Sequence, residues 1–159
     1  MSVEMNEPQL SEVDHRLLAA LLIEHMWRTD HGKTDTIHEL FVEDGEISHG
    51  LMHIFEGGAI RQTSGRKVGR DAIRTWGQAH VADRHRIAHV CTNVRFTADG
   101  PDGAQGTSTL TLYQATSDGS PTTVPKAVGE YSIRCVRAQG GWRFASIHFD
   151  PLFERDVQT

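Results

Sequence analysis

Hydrophobic positions follow a helical spacing in the first half of the chain. Ser11 with Asp14 forms a capping-box sequence, and residues 13–30 after it predict a helix. The stretch 17–23 is apolar all round the helix, which indicates a buried helix. Two further helices are predicted over residues 34–41 and 69–80.

Alternation of apolar and polar residues replaces the helical spacing after residue 85. It predicts four strands, separated by turns rich in Asp, Gly and Pro, over residues 86–97, 107–116, 124–137 and 142–149. Residues 46–49 predict a short strand, and the glycines within 50–67 predict an irregular, mobile loop. Helices followed by a meander of antiparallel strands indicate an α+β fold, with helices packed on one face of a curved sheet and a pocket between them.

Composition narrows the class of protein. The chain has 159 residues, with 16 Lys and Arg against 21 Asp and Glu, for a net charge of −5. We expect a flexible arm over 1–10, one domain over 11–151 and a tail over 152–159. The negative net charge argues against nucleic acid as a binding partner. No apolar run reaches the roughly 20 residues of a membrane span, and the polar N-terminus is unlike a secretory signal. Two cysteines make no disulfide scaffold, so a cytoplasmic location is expected.

Ten histidines raise the question of a metal site. His85 and His89 are four residues apart, a spacing that binds one ion on a helix. They fall in a predicted strand, where the same spacing separates the side chains by about 13 Å. We therefore expect no metal and no cofactor.

Four short segments resemble the nuclear-transport-factor-2-like superfamily, and within it the SnoaL-like branch. They are Trp-Arg-Thr-Asp at 27–30 with residues 40–47 after it, Gly-Arg-Asp-Ala-Ile at 69–73, His-Val-Cys-Thr-Asn-Val at 89–94, and Gly-Trp-Arg-Phe-Ala at 141–145. The resemblance implies a cone-shaped α+β barrel, in which N-terminal helices pack into a strongly curved, mostly antiparallel sheet. It also implies a homodimer. The fold hosts dehydratases, isomerases, polyketide cyclases, dioxygenase small subunits and binding modules.

The resemblance also implies a catalytic pair, Asp30 at the end of the first helix and His89 on the strand after the third. A carboxylate bonded to one imidazole nitrogen fixes the tautomer and stabilises the cation formed when the other nitrogen takes a proton. Such a pair suits proton abstraction beside a carbonyl or a leaving group. In the alternative interpretation, Asp30 caps its helix and His89 is a hydrogen-bonded histidine of the sheet.

Candidate substrate-binding residues surround this pair. Strand alternation places His85 and Asn93 on the face of His89, and His148 lies on a last strand either face of which can border the pocket. Four aromatic residues are candidates for the wall: Trp27, Phe55, Trp76 and Tyr131. The alternatives are a rim position for His85, a bond to a neighbouring strand for Asn93, and packing for His148 and the aromatic residues.

The expected function is that of a small-molecule lyase or isomerase without a cofactor. His89, oriented by Asp30, would abstract a proton from a hydrophobic or cyclic substrate: a dehydratase, a dehydrohalogenase or a ketosteroid-isomerase-like enzyme. The alternative is a non-catalytic ligand-binding or oligomerisation module of the same fold, similar to a dioxygenase small subunit. The catalytic hypothesis requires a hydrogen bond between the pair and a pocket of roughly 300 Å³ or more.

Overall fold

The computed structural model describes residues 9–56, 59–81, 87–115 and 125–154. Its helices are α1 (Glu12–Asp30), a 3-10 helix (Thr34–Leu40) and α2 (Arg70–His80). Its strands are β1 (Phe41–Glu56), β2 (Ala59–Val68), β3 (Ile87–Ala98), β4 (Gly103–Gln114), β5 (Ala127–Ala138) and β6 (Gly141–Glu154).

The six strands form one curved, unclosed sheet in the order β2-β1-β6-β5-β4-β3. Neighbouring strands run antiparallel, except that β1 and β6 run parallel. The helix α1 packs against β3 and β6, whereas α2 packs against β1, β2 and the 3-10 helix. The α+β class is confirmed, with the helices preceding most of the sheet in the chain.

One face of α1 enters the core. Ser11 caps the helix through a capping box with Asp14, as its sequence predicts. The prediction that α1 is buried on all sides, however, is wrong, because Leu17 is 48% exposed and Ile23 is 65% exposed. The sheet covers a single face of the helix, so the inward stripe is buried at Leu18, Leu21, Leu22, His25 and Met26. No helix among the described residues is long and apolar enough to cross a membrane.

The predicted strand over 46–49 is confirmed but forms part of the longer β1, and the predicted loop over 50–67 is wrong, because β1 and β2 form an antiparallel pair that continues to residues 56 and 59. Of the glycines that indicated a loop, Gly57 and Gly58 lie outside the described residues, and Gly65 instead allows close approach within the sheet. A Cβ at Gly65 would lie 2.5 Å from Nε2 of His49, and one at Gly50 would lie 3.1 Å from Cδ of Pro151. These contacts depend on the partner strands, which the local sequence does not reveal.

Two irregularities change which residues face the core. In β3 the pairing with β4 shifts between Thr92 and Arg95, and Asn93 has a positive φ of 53°. In β6 the partners of Arg134 and Cys135 are Ser146 and Phe144, so one extra residue lies between them. Each β-bulge reverses the inward and outward faces of its strand beyond that point.

Candidate active site between the helices and the sheet

A cavity of about 290 Å³ lies between α1, α2 and the inner face of the sheet. Its volume is close to the lower limit expected for a small-molecule site. Apolar side chains contribute much of its wall: Ile47, Met52, Trp76, Ile87, Leu110, Leu112 and Phe149. Polar and ionisable groups also line it, among them Asp30, His89, His25, His49, His80, Lys67, Lys126 and Tyr131.

Asp30 and His89 form a two-point contact at the wall of this cavity. One carboxylate oxygen of Asp30 lies 2.5 Å from Nδ1 of His89, and the other accepts from the backbone N–H of His89 at 2.9 Å. Asp30 is the last residue of α1, and His89 lies near the start of β3. The contact therefore fixes the end of the helix against the edge strand and also fixes the orientation of the imidazole.

This contact assigns the tautomer of His89. A carboxylate accepts hydrogen bonds, so Nδ1 of His89 must carry the proton that it shares with Asp30. Nε2 of the neutral ring is then the atom with the lone pair, and none of the described residues hydrogen-bonds to it. The two side chains are 10% and 18% exposed. An oriented imidazole with an available lone pair at a cavity wall can act as a base.

A second histidine, His25, lines the cavity from the buried stripe of α1. It is 4% exposed and packs edge-on against Phe41 and Phe144, with ring centroids 6.2 and 5.7 Å away. Burial, with a smaller contribution from the nearby imidazole of His89, lowers the pKa of His25 to about 3. His25 is therefore a neutral imidazole beside the Asp30–His89 pair.

Two weakly acidic groups near the pair stay protonated. Burial raises the pKa of the Tyr131 hydroxyl, and the negative charge of Asp30 raises it further. That hydroxyl donates to Sδ of Met26 at 3.9 Å, and sulfur is a weak acceptor. Burial also raises the pKa of the Cys91 thiol. Cys91 therefore has the character of a small, half-buried apolar residue rather than that of a nucleophile.

The wall formed by β1, α2 and the start of β5 carries further nitrogen atoms. Nδ1 of His49 lies 2.8 Å from the carbonyl oxygen of Gly50, and burial lowers the pKa of this histidine. Nδ1 of His80 lies 2.7 Å from the carbonyl oxygen of Trp76. Lys126 is buried, and its ammonium group donates to the carbonyl oxygen of His53. This wall is thus richer in basic groups than the sheet around Leu110.

Of the predicted substrate-binding residues, Tyr131 and Trp76 line the cavity. Trp27 does not: it is 44% exposed on the outer side of α1, stacked on His31 with a centroid distance of 4.5 Å. Its position on the helix explains this, since residue 27 falls outside the inward stripe that contains His25 and Met26. His85 lies outside the described residues, as does the side chain of Phe55.

Asn93 and His148 also lie away from the cavity, because each follows or occupies a bulge. Asn93 is exposed, and its amide donates to Oγ1 of Thr109 on the neighbouring strand at 3.3 Å. His148 lies between the buried Ile147 and Phe149 in β6 and therefore faces the outer side of the sheet, where its Nδ1 lies 2.8 Å from Oγ of Ser48. The prediction that strand alternation places Asn93 on the face of His89 is wrong, and His148 lies on the face of β6 that does not border the cavity.

Three cavity histidines, His25, His49 and His80, were missed by the sequence interpretation. A signal existed for His25, which continues the i, i+3, i+4 spacing of the buried leucines in α1. No such signal existed for His49, because its position depends on the pairing of β1 with β2 and β6. Among the described residues, no group of three or more His, Cys, Asp or Glu side chains is arranged to hold a metal ion.

The curved six-stranded sheet, the helices over its inner face and the cavity between them define a fold class, the cystatin-like fold of nuclear-transport-factor-2-like proteins. Within that class the family is also clear. Residues 14–148 match the model of the SnoaL-like domain, and the chain belongs to that family.

Solved structures support the same fold. The chain is similar to a candidate scytalone dehydratase from Novosphingobium aromaticivorans, with a TM-score of 0.70 and 17% identity over 92% of this chain and 89% of that one. The chain is also similar to the β subunit of a candidate aromatic-ring-hydroxylating dioxygenase from the same organism, with a TM-score of 0.73 and 16% identity over 91% of this chain and 92% of that one. A third similar structure is that of Rv3472 from Mycobacterium tuberculosis, a protein of unknown function, with a TM-score of 0.68 and 25% identity over 92% of this chain and 80% of that one. A comparison with curated protein sequences found no match.

Proposed function

We propose that the protein is a lyase or isomerase that abstracts a proton from an apolar, cyclic small molecule, with His89 as the base and Asp30 as the group that orients it. The observation that carries this proposal is the hydrogen bond between Nδ1 of His89 and Asp30 at the cavity wall. Trp76 and Tyr131 are the proposed contacts for the substrate ring. The proposal includes a homodimer that acts in the cytoplasm without a cofactor.

In the proposed step, Nε2 of His89 takes a proton from a carbon beside a carbonyl group. The carbon–hydrogen bond breaks, and its electron pair moves into the carbonyl group to give an enolate. With a leaving group on the next carbon, the same electron pair expels it and forms a double bond. Isomerisation and elimination therefore share this first step.

The charge distribution around the pair favours this step. Proton transfer makes an imidazolium at His89, and the carboxylate of Asp30 is already in contact with it. His25 is neutral because burial lowers its pKa, so it adds no positive charge that would oppose protonation of His89. The apolar side chains of the wall lower the local dielectric constant, which strengthens the attraction between Asp30 and the imidazolium.

Exchange of carbon-bound hydrogen for deuterium tests the proposal without knowledge of the natural substrate. A panel of cyclic ketones and hydroxy-ketones that includes 1-tetralone is incubated with the protein in D₂O, and loss of the proton signals beside the carbonyl is followed by NMR. His89→Asn retains an amide group that can bond to Asp30 but lacks the base. We expect it to lower the exchange rate about 100-fold or more.

His148→Ala is the matched control, because His148 is a histidine of the same sheet that faces away from the cavity. We expect its exchange rate to stay within about twofold of the unaltered protein. Exchange that survives His89→Asn, or the absence of exchange with every ketone of the panel, would contradict the proposal.

A non-catalytic assembly role, like that of a dioxygenase small subunit, is the second candidate function. The observation that favours it is the exposure of Val90 and Val94 on the edge strand β3, where apolar side chains are available for a contact with another chain. Under this alternative the Asp30–His89 contact is structural. The non-catalytic alternative predicts that His89→Asn lowers the melting temperature and that the unaltered protein shows no exchange activity.

A further inference from the structure

His25 is a polar side chain buried without a partner on the wall of the cavity. Its Nδ1 has no hydrogen-bond partner in the part of the chain that the structure describes. The ring is held edge-on by Phe41 and Phe144, neither of which can accept or donate a conventional hydrogen bond. A buried polar atom in this state costs stability, so its presence calls for a functional explanation.

The position of His25 links it to the proposed chemistry. It lies on α1 five residues before Asp30, and both side chains line the same cavity. The charges of His89, Asp30 and Arg28 all act on it. A ligand that reaches Nε2 of His89 therefore lies within the same space as the His25 ring.

A neutral imidazole offers one donor and one acceptor. The apolar groups that also line the cavity, Leu110, Leu112 and Ile87, offer neither. An apolar ring that fills the cavity can satisfy His25 if it carries an oxygen atom, whereas a pure hydrocarbon leaves the imidazole unsatisfied.

We propose that His25 is a specificity-determining residue, whose imidazole hydrogen-bonds to an oxygen atom of the bound ligand and so selects oxygen-bearing ring compounds over hydrocarbons. The inference deepens the proposed function and rests on it for the assignment of His89 as the base. The selected oxygen is a carbonyl or hydroxyl group near the carbon that loses its proton.

A matched pair of ligands tests the inference. The probes are 1-tetralone and tetralin, which have the same bicyclic skeleton and differ in one carbonyl group. Dissociation constants for both are measured with the unaltered protein and with His25→Leu, which keeps an apolar side chain and removes the ring nitrogens. We expect His25→Leu to weaken the binding of 1-tetralone about tenfold while tetralin binds as before or more tightly.

Two conservative variants indicate which nitrogen acts. His25→Asn places an amide near the position of Nδ1, and His25→Gln places one near Nε2. We expect one of the two to regain most of the affinity for 1-tetralone. We also expect the melting temperature of His25→Leu to equal or exceed that of the unaltered protein, because the substitution removes an unsatisfied buried nitrogen.

A nitrogen-15 NMR spectrum of the histidine rings supplies a signature that a packing role would not produce. The His25 signals, assigned by their loss in His25→Leu, should shift on addition of 1-tetralone and not on addition of tetralin. Equal weakening of both probes by His25→Leu, unchanged signals, or no binding of 1-tetralone would each overturn the inference.

His89→Asn separates this inference from the proposed function. It should lower deuterium exchange about 100-fold or more and leave the preference for 1-tetralone over tetralin intact. If the unaltered protein shows no exchange but His25→Leu still loses the preference, the proposed function fails and the role of His25 stands. If exchange depends on His89 but the preference for 1-tetralone does not depend on His25, the proposed function stands and the inference fails.

Discussion

The two ends of α1 each carry a largely buried aspartate, and the two carboxylates have different partners. Asp14, in the first turn, accepts from Ser11, from Nε1 of Trp142 at 3.0 Å, and from Arg137 at 2.7 Å. Asp30, in the last turn, accepts from the backbone and the imidazole of a single residue, His89. Asp14 thus connects the helix to β5 and β6, and Asp30 connects it to β3.

The difference between them lies in what their partners can do next. An indole N–H and a guanidinium keep their protons throughout the ordinary pH range, so Asp14 stabilises structure and nothing beyond it. The imidazole that contacts Asp30 has a second nitrogen, and that nitrogen can take a proton at a cavity wall. Both residues are aspartates of the same helix, and both side chains are largely buried. The chemistry of the hydrogen-bond partner therefore distinguishes the structural carboxylate from the candidate catalytic one.

Replacing each aspartate in turn gives the largest expected contrast. Asp30→Asn removes the charge that stabilises the protonated form of His89, and we expect ketone deuterium exchange to fall about 100- to 10,000-fold. Asp14→Asn is the matched control on the same helix and should stay within about threefold of the unaltered protein when rates are corrected for the folded fraction. Equal loss of exchange in both variants would remove the distinction between the two carboxylates.

The same two variants should rank in the opposite order for stability. Hydrogen bonds from Ser11, then from Trp142, hold the pKa of Asp14 well below its ordinary value, so the ionised form contributes to folding. Loss of that charge leaves Arg137 and Trp142 without their acceptor. We expect Asp14→Asn to lower the melting temperature by several degrees, and by more than Asp30→Asn does. A larger loss for Asp30→Asn, measured by circular dichroism, would show that the Asp30 contact is the main structural one.

Stability should also depend on pH through His25. The unfolded chain protonates this histidine near 6.5, whereas burial holds its pKa at about 3 in the folded protein. Between those values the unfolded state binds more protons, so stability falls as the pH is lowered from 6.5 toward 3, by at most about 1.4 kcal/mol per pH unit. Asp14, with a pKa lowered from 3.8, adds to the loss only below about pH 4.

Denaturant unfolding of the unaltered protein and of His25→Leu between about pH 7 and about pH 4.5 measures this contribution. The charged and titratable groups that act on His25, which are His89, Asp30 and Arg28, are present in both proteins. The difference between the two curves therefore belongs to residue 25. We expect a shallower decline for His25→Leu, and two parallel curves would show that His25 takes up no proton on unfolding.

The sequence was sufficient to predict the features that depend on residues close together in the chain, such as the helix α1 and the residues at its ends. The capping box of α1 and the two ends of the helix follow from residues within one turn of each other, and Asp30 at the last turn was predicted with His89 through family resemblance. The long β1–β2 pair was missed, because Gly65 resembles a loop residue until its close partner His49 is known. The face of Asn93 in β3 was misassigned, and the face of β6 that borders the cavity was left open, because neither bulge has a signal in simple alternation.

The smallest expected effects concern the bulge at Asn93, which divides β3 into a part that reaches the cavity and a part that does not. Asn93 has a positive φ of 53°, a conformation that asparagine and glycine tolerate and β-branched residues do not. We expect Asn93→Val to cost about 1–2 kcal/mol of stability and Asn93→Gly to change it by about 0.5 kcal/mol or less. The ketone exchange rate of Asn93→Gly should match that of the unaltered protein, because the Asn93 side chain bonds to Thr109 on the outer surface. If Asn93→Gly slows exchange while leaving stability unchanged, the bulge positions His89 four residues earlier on the same strand, and the boundary of the site must be moved along β3 to include it.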